Sequence, residues 1–232
     1  MNGEGSAWQI PDDRVAAAVV ATVLAHQGLA IDEVVVQAGS ALGHAPDDPV
    51  ARRTTERAVS ALVDRSDLVL LAPDRVVAPV ALLTGAVLTH RLTDAEVAGE
   101  HLSLACDLAP FAYCDELTTT AGTSIELVGL DDGLPAWIAD AGWPPEWRAG
   151  DLLTVRLDED GLLEVQVADP PGTTADQDAD AGELAAHVRT AYDRERADPH
   201  LPALVDDIFF AVSLAAPGAF ARPGLPLSLI HI

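Results

Sequence analysis

The stretch Ala16–Ala25 reads AAAVVATVLA and constrains the fold more than any other part of the chain. Its ten residues are too few to span a bilayer, which needs about 20 apolar residues. Glu4, Asp12 and Asp13 precede it, with Arg14 as the only opposing charge, so it lacks the basic leader of a signal peptide. The surrounding PDDRVAAAVVATVLAHQG has Asp12 or Asp13 to cap a helix and Gly28 to end it. A helix apolar on nearly every face belongs at the centre of a small domain. Aromatic residues make up only 4% of the chain, so Ala, Val and Leu must fill its core.

Two further helices follow. IDEVVVQAGSALG has Asp32 in the cap position and Gly43 as its stop. DDPVARRTTERAVSALVDRSD opens with Pro49, which suits a first helical turn, and turns Val59, Leu62 and Val63 inward. LVLLAPDRVVAPV then places two short apolar runs on either side of Pro73-Asp74, a turn signal. Three compact helices followed by a hairpin is the element order of a winged helix. Over roughly residues 12–85 the chain resembles the small winged-helix module of the delta subunit of bacterial RNA polymerase. The resemblance implies a regulatory binding module whose third helix and wing meet the partner.

Beyond it the sequence predicts a strand over 86–92. A short helix should follow, opened by Thr93 and Glu96 in the spacing of a capping box. Residues 103–169 read as a small β-rich unit, a barrel or a sheet. Its clearest part is DLLTVRLDEDGLLEVQV, two alternating strands around a turn at Asp158–Gly161. Residues 170–182 have the composition of an acidic linker, and 183–226 supply two helices that look like the start of a helical domain. The expected division is therefore a disordered tail at 1–11, a winged-helix domain with its extension at 12–102, the β-rich domain at 103–169, the linker, and the C-terminal helices. The fold class is α+β, built from several modules.

Charge limits the partners. The chain carries 37 acidic and 13 basic residues, a net −24, and all the basic residues are Arg. Most nonspecific nucleic-acid affinity comes from neutralising phosphates, so a nucleic-acid role needs a local basic face. On the third helix Arg53 and Arg57 share an outward side, with Arg52 beside them, and the wing adds Arg75. Arg can pair bidentately with guanine, yet residues 1–100 hold 7 Arg against 14 acidic residues. These four arginines are the candidate binding residues, and a protein partner is expected ahead of nucleic acid.

His90-Arg91 is the candidate functional polar pair. General-base work by His90 requires a nucleophile or acid within hydrogen-bond reach, and no local motif supplies one. His101, Cys106 and Cys114 lack the paired C-x₂₋₄-C spacing of structural zinc. Asp176, Asp178 and Asp180 alternate like calcium ligands, but Ala181 and His187 stand where an EF-hand loop needs Gly and Glu. Trp137, Trp143 and Trp147 fit a small core better than a ligand platform. Phosphate-loop, dinucleotide, serine-hydrolase and zinc-protease motifs do not occur. With no Lys, these residues cannot form a Schiff base. No catalytic residue, metal or cofactor is expected.

Two cysteines cannot make a disulfide framework, and a reducing cytoplasm is the expected compartment. The resulting picture is a non-enzymatic regulatory or interaction protein binding a protein or DNA. The alternative is the accessory front part of a larger enzyme, or of a helical-repeat scaffold, whose C-terminal part is missing. That alternative draws on the ending, LSLIHI at Leu227–Ile232. Residues 1–226 contain five Ile and the last six contain two. Back-translated as CTG TCT CTT ATA CAC ATC, the ending resembles a transposon-end adapter used in sequencing libraries, so a cut reading frame is expected there. If so, the apolar face around Ile208–Phe210 should lack its packing partners.

Overall fold

A computed structural model describes residues 12–104, 106–114, 116–130, 133–168, 175–195 and 205–221. The expected tail at 1–11 and the ending at 227–232 lie outside these residues. The chain is α+β and divides into two compact units, one comprising residues up to Leu70 together with Asp74–Ala78, the other Leu71–Pro73 and Pro79 onward.

The first unit runs α1 (Asp12–Ala25), β1 (Leu29–Ala30), α2 (Ile31–Ala41), α3 (Pro49–Asp64), β2 (Val69–Leu71) and β3 (Arg75–Val77). The three strands form a small sheet in the order β1-β3-β2. Val19 and Val23 of α1, Val34, Val35 and Ala38 of α2, and Val59 and Leu62 of α3 meet in one core with Leu68 and Val76. α1 is less enclosed than its composition implies. Ala17, Ala21 and Leu24 are exposed, so its outward side is apolar merely because it is built from small residues and one Leu.

The helix starts follow local chemistry. Asp48 caps α3 by accepting the amides of Val50 (2.9 Å) and Ala51 (3.2 Å). Asp32, expected as the cap of α2, is already inside that helix. The cap position is Ala30, whose amide donates to the Glu33 carboxylate at 3.3 Å. β1 runs straight into α2, which moves the start two residues upstream and leaves the Asp32 carboxylate available to another partner.

The second unit holds α4 (Pro79–Leu83), β4 (Val87–Arg91), α5 (Asp94–Gly99), β5 (Leu102–Ser103), a 3-10 segment (Cys106–Tyr113) and β6 (Glu116–Thr119). β7 (Ser124–Gly129), β8 (Pro135–Ala139), β9 (Leu152–Leu157), β10 (Leu162–Val167), α6 (Ala175–Glu195) and α7 (Val205–Ala215) complete it. Seven strands form one mixed sheet in the order β4-β9-β10-β6-β7-β8-β5. β10 pairs with β6 in parallel, while β4–β9, β9–β10, β6–β7, β7–β8 and β8–β5 are antiparallel. The sheet is open, with β4 and β5 at its edges, so the β-rich unit is a sheet and not a barrel.

β4 pairs with β9, with His90 opposite Leu153. Residues 79–102 therefore belong with the sheet, and the expected division near residue 102 moves to residue 78. The anticipated hairpin is present: Asp158 Oδ1 accepts the amides of Asp160 (3.0 Å) and Leu162 (2.8 Å), and Gly161 takes the positive φ of 77° that closes the turn.

The expected acidic linker is in part helical, since α6 begins at Ala175. Ala, the best helix former, recurs through this segment. Low apolar content says nothing against that propensity. The stretch 169–174 lies outside the described residues.

The C-terminal helices are not left waiting for partners. Phe209 and Phe210 are fully buried and Ile208 nearly so. Phe209 packs on Phe220 with ring centroids 4.6 Å apart, and Phe210 meets Tyr113 edge-on at 5.4 Å. The expected unpartnered face at Ile208–Phe210 is thus filled from the unit's own 3-10 segment and from Phe220. No helix among the described residues is long and apolar enough to cross a membrane.

Candidate functional site: the outward face of α3 and a buried His90 cluster

The candidate arginines have different surroundings. Arg52 Nη2 reaches Asp32 Oδ1 at 2.5 Å, and its Nε reaches Glu56 Oε1 at 2.9 Å. Its charge is therefore spent inside the unit, on the carboxylate released by the shifted start of α2 and on a neighbour one turn along. Arg53 and Arg57 are exposed, and the Arg57 Nε donates to the Arg53 carbonyl at 3.3 Å. Val50, one turn before Arg53, is 69% exposed. Val50, Arg53, Arg57 and Ser60 recur at helical spacing, so α3 presents a narrow stripe with two guanidinium groups beside an apolar side chain. Arg75 is half-buried at the start of β3.

His90 and Arg91 do not act as a pair, because successive residues on a strand point to opposite faces. Arg91 is exposed, and its Nη1 donates to the Gly150 carbonyl at 2.7 Å, tying the end of β4 to the loop before β9. His90 points inward and is 7% exposed. Its Nε2 donates to Glu96 Oε1 at 2.8 Å, and its Nδ1 lies 3.6 Å from Asp107 Oδ2. The first is a hydrogen bond and the second an ion-pair distance.

Glu96 is the junction. The capping box is formed as expected, with Thr93 Oγ1 accepting the Glu96 amide at 3.2 Å. Glu96 Oε2 accepts the Thr93 amide and hydroxyl, each at 2.8 Å. Its Oε1 accepts both His90 and the Ser103 amide, the latter at 2.9 Å. One buried carboxylate thereby joins the end of β4, the start of α5 and the end of β5.

The electrostatics follow from this enclosure. Burial opposes a charged imidazole, but Asp107 and Glu96 outweigh it and raise His90 to about 9. Burial likewise opposes a charged Glu96, and the hydrogen bond and charge of His90, with the Thr93 and Ser103 amides, bring it down to about 2. Near neutrality His90 is an imidazolium held between two carboxylates. Both ring nitrogens face carboxylates of the unit, and the cluster forms a clamp between β4, α5 and the 3-10 segment.

Glu96 and Asp107 are the residues that sequence reasoning missed as partners of His90. Glu96 was visible only as a helix cap. Asp107 stands alone in the apolar run CDLAPFAYC, and a single carboxylate in such a run was its one signal.

The tryptophans separate. Trp137 is fully buried and meets Phe111 edge-on at 5.2 Å. Trp143 and Trp147 stack on each other at 5.3 Å in the loop before β9. Cys114 is buried, and the described residues contain no group of three or more His, Cys, Asp or Glu side chains able to hold a metal ion. The Cys106 side chain and those of Asp176, Asp178 and Asp180 lie outside what is described.

Comparison with protein-family models, with curated proteins and with solved structures found no match.

Proposed function

We propose that the first unit is a winged-helix module that binds a protein partner through the outward stripe of α3. The order of three helices and a small sheet, with β1 paired to β3, supports the winged-helix reading. The observation that carries the choice of partner is the pairing of Arg52 with Asp32 and Glu56. A DNA-reading helix needs its cations directed outward, toward phosphates and base edges. Here one of the three arginines on the helix is neutralised internally, and Val50 lies exposed beside the other two. Two guanidinium groups flanked by an apolar side chain suit a segment of acidic and apolar residues on another protein. The whole chain, at −24, adds long-range repulsion of a phosphate backbone.

The discriminating experiment is a titration of fluorescently labelled duplex DNA at about 50 mM salt, where phosphate-driven binding is strong. No binding is expected. Binding that weakens steeply with salt and disappears in Arg53→Glu/Arg57→Glu would replace the protein-binding reading with a DNA-binding one.

The His90 cluster supports a non-catalytic role for the sheet unit, because both ring nitrogens face carboxylates within the unit.

A further inference from the structure

The two faces of the seven-stranded sheet differ along β7 and β8. Ile125, Trp137 and Ala139 are buried on one face, so the alternate positions Glu126, Val128, Ala136 and Ile138 belong to the other. The Leu130 amide donates to the Leu134 carbonyl at 2.9 Å and carries the ladder one pair further. Val128 and Leu130 are half-buried, while Leu134 and Ile138 are 43% and 40% exposed. Four large apolar side chains thus share one outward patch of this hairpin. On β9 and β10 the same face is polar and satisfied: Arg156 pairs with Glu164, which also accepts from Gln166. The apolar patch is bordered instead by acid. Glu126 is exposed opposite Ile138, Asp140 is exposed just past the end of β8, and Asp131-Asp132 separate the two strands in sequence. The register of β6 sets a further acidic position, Glu116, directly opposite Glu126. Like charges in directly opposite positions destabilise a sheet. Neither Glu126 nor Asp140 has an ion-pair partner among the described residues.

We propose that the outward face of β7 and β8 docks a basic amphipathic helix of another protein. Its apolar side lies on Val128, Leu130, Leu134 and Ile138, and its Arg or Lys side chains meet Glu126 and Asp140. This surface belongs to the second unit and does not depend on the α3 stripe. Proteins bury an apolar sheet face by laying another element over it, and a helix is a common cover. From Leu134 to Asp140 an extended chain runs roughly 20 Å, at about 3.4 Å per residue. A helix of about 14 residues has the same length. Charge selects which helix. A cation brought to Glu126 offsets the two acidic positions that the register sets opposite each other. The net −24 of the chain draws basic partners in and turns away an acidic helix or a phosphate-bearing surface.

The test titrates the full chain with a synthetic helical peptide of about 14 residues, Leu along one side and Arg flanking it, followed by amide NMR. Shifts should concentrate on β7, β8 and the turn between them. A scrambled peptide of the same composition keeps the charge but loses the apolar side, and should bind roughly tenfold more weakly. Glu126→Lys should weaken the designed peptide roughly tenfold. Ile138→Thr, which keeps a β-branched residue on the strand, should weaken it roughly fivefold. Should either variant fail to fold, Leu134→Gln, just outside the strands, carries the same test. Equal binding of the scrambled peptide, shifts centred elsewhere, variants that bind like the parent, or no binding at all would overturn the proposal. So would sedimentation showing the chain self-associated through this face, because a second copy would then be the occupant.

Discussion

The substitution Glu96→Gln tests the His90 clamp most sharply, because it changes charge with little change in shape. A rise of His90 from 6.5 to about 9 corresponds to about 3 kcal/mol of preference for the charged ring in the folded state. At 7% exposure little of that is lost to solvent. The matching fall of Glu96 from 4.5 to about 2 describes the same contact from its other side, so the two are counted once. Asp107, at 3.6 Å, retains part of the interaction when Glu96 is neutralised. Gln keeps one oxygen for His90 and the Ser103 amide, but presents an NH₂ where Thr93 now donates twice. An unmet buried donor costs about 1–3 kcal/mol.

Together these terms predict a loss of about 2–4 kcal/mol in the second unit. Urea denaturation followed by tryptophan fluorescence reports on that unit, since Trp137 lies buried against the 3-10 segment. The imidazole of His90, followed by NMR, should titrate clearly below 9. A loss under about 0.5 kcal/mol, with an unmoved His90 midpoint, would refute the argument that Glu96 carries the clamp.

Other outcomes follow from the same contacts. His90 is raised on folding, so the stability it contributes is complete below pH 6.5 and is lost as pH rises through about 9; urea midpoints should fall across that window. Glu96 is lowered on folding, so its contribution is complete above pH 4.5 and lost as pH falls through about 2. Phe209→Ala should cost about 3–5 kcal/mol, measured by urea denaturation, because a fully buried ring packed on Phe220 leaves a cavity. Asp48→Ala should destabilise the first unit by about 1 kcal/mol, read from amide exchange in α3, since two amides lose their acceptor. Arg52→Ala should change stability by about 1 kcal/mol or less on the same readout, as both of its ion pairs are solvent-exposed.

Local chemistry in the sequence carried much of this fold, and long-range chemistry did not. Pro49, the Thr93–Glu96 spacing and the Asp158–Gly161 turn each act within a few residues, and each forms where its residue types demand. Along Val87–Arg91 burial does not alternate, since Leu88, Thr89 and His90 are all enclosed, so the separation of His90 from Arg91 could not be read from the strand's pattern. The start of α2 was misplaced because the strand before it is only two residues long and has no pattern to read. The parallel pairing of β10 with β6 joins segments far apart in sequence and left no local trace. In the clamp Glu96 stands only six residues from His90. The capping box identified Glu96, but its bond to His90 depends on β4 and α5 folding back on each other. Asp107 enters from a separate 3-10 segment. The role of Arg52 depended on Asp32, 20 residues away on another helix, and that pairing separates it from Arg53 and Arg57.

The most direct measurement concerns those two residues. A photo-crosslinking amino acid placed at Val50 in the full chain, in cells that express it naturally, should capture a protein. That adduct should vanish when Arg53→Glu/Arg57→Glu is added and persist with Arg52→Ala. An adduct indifferent to the charge reversal, capture of nucleic acid in place of protein, or no adduct at all would contradict the assignment of this face as a protein-binding surface.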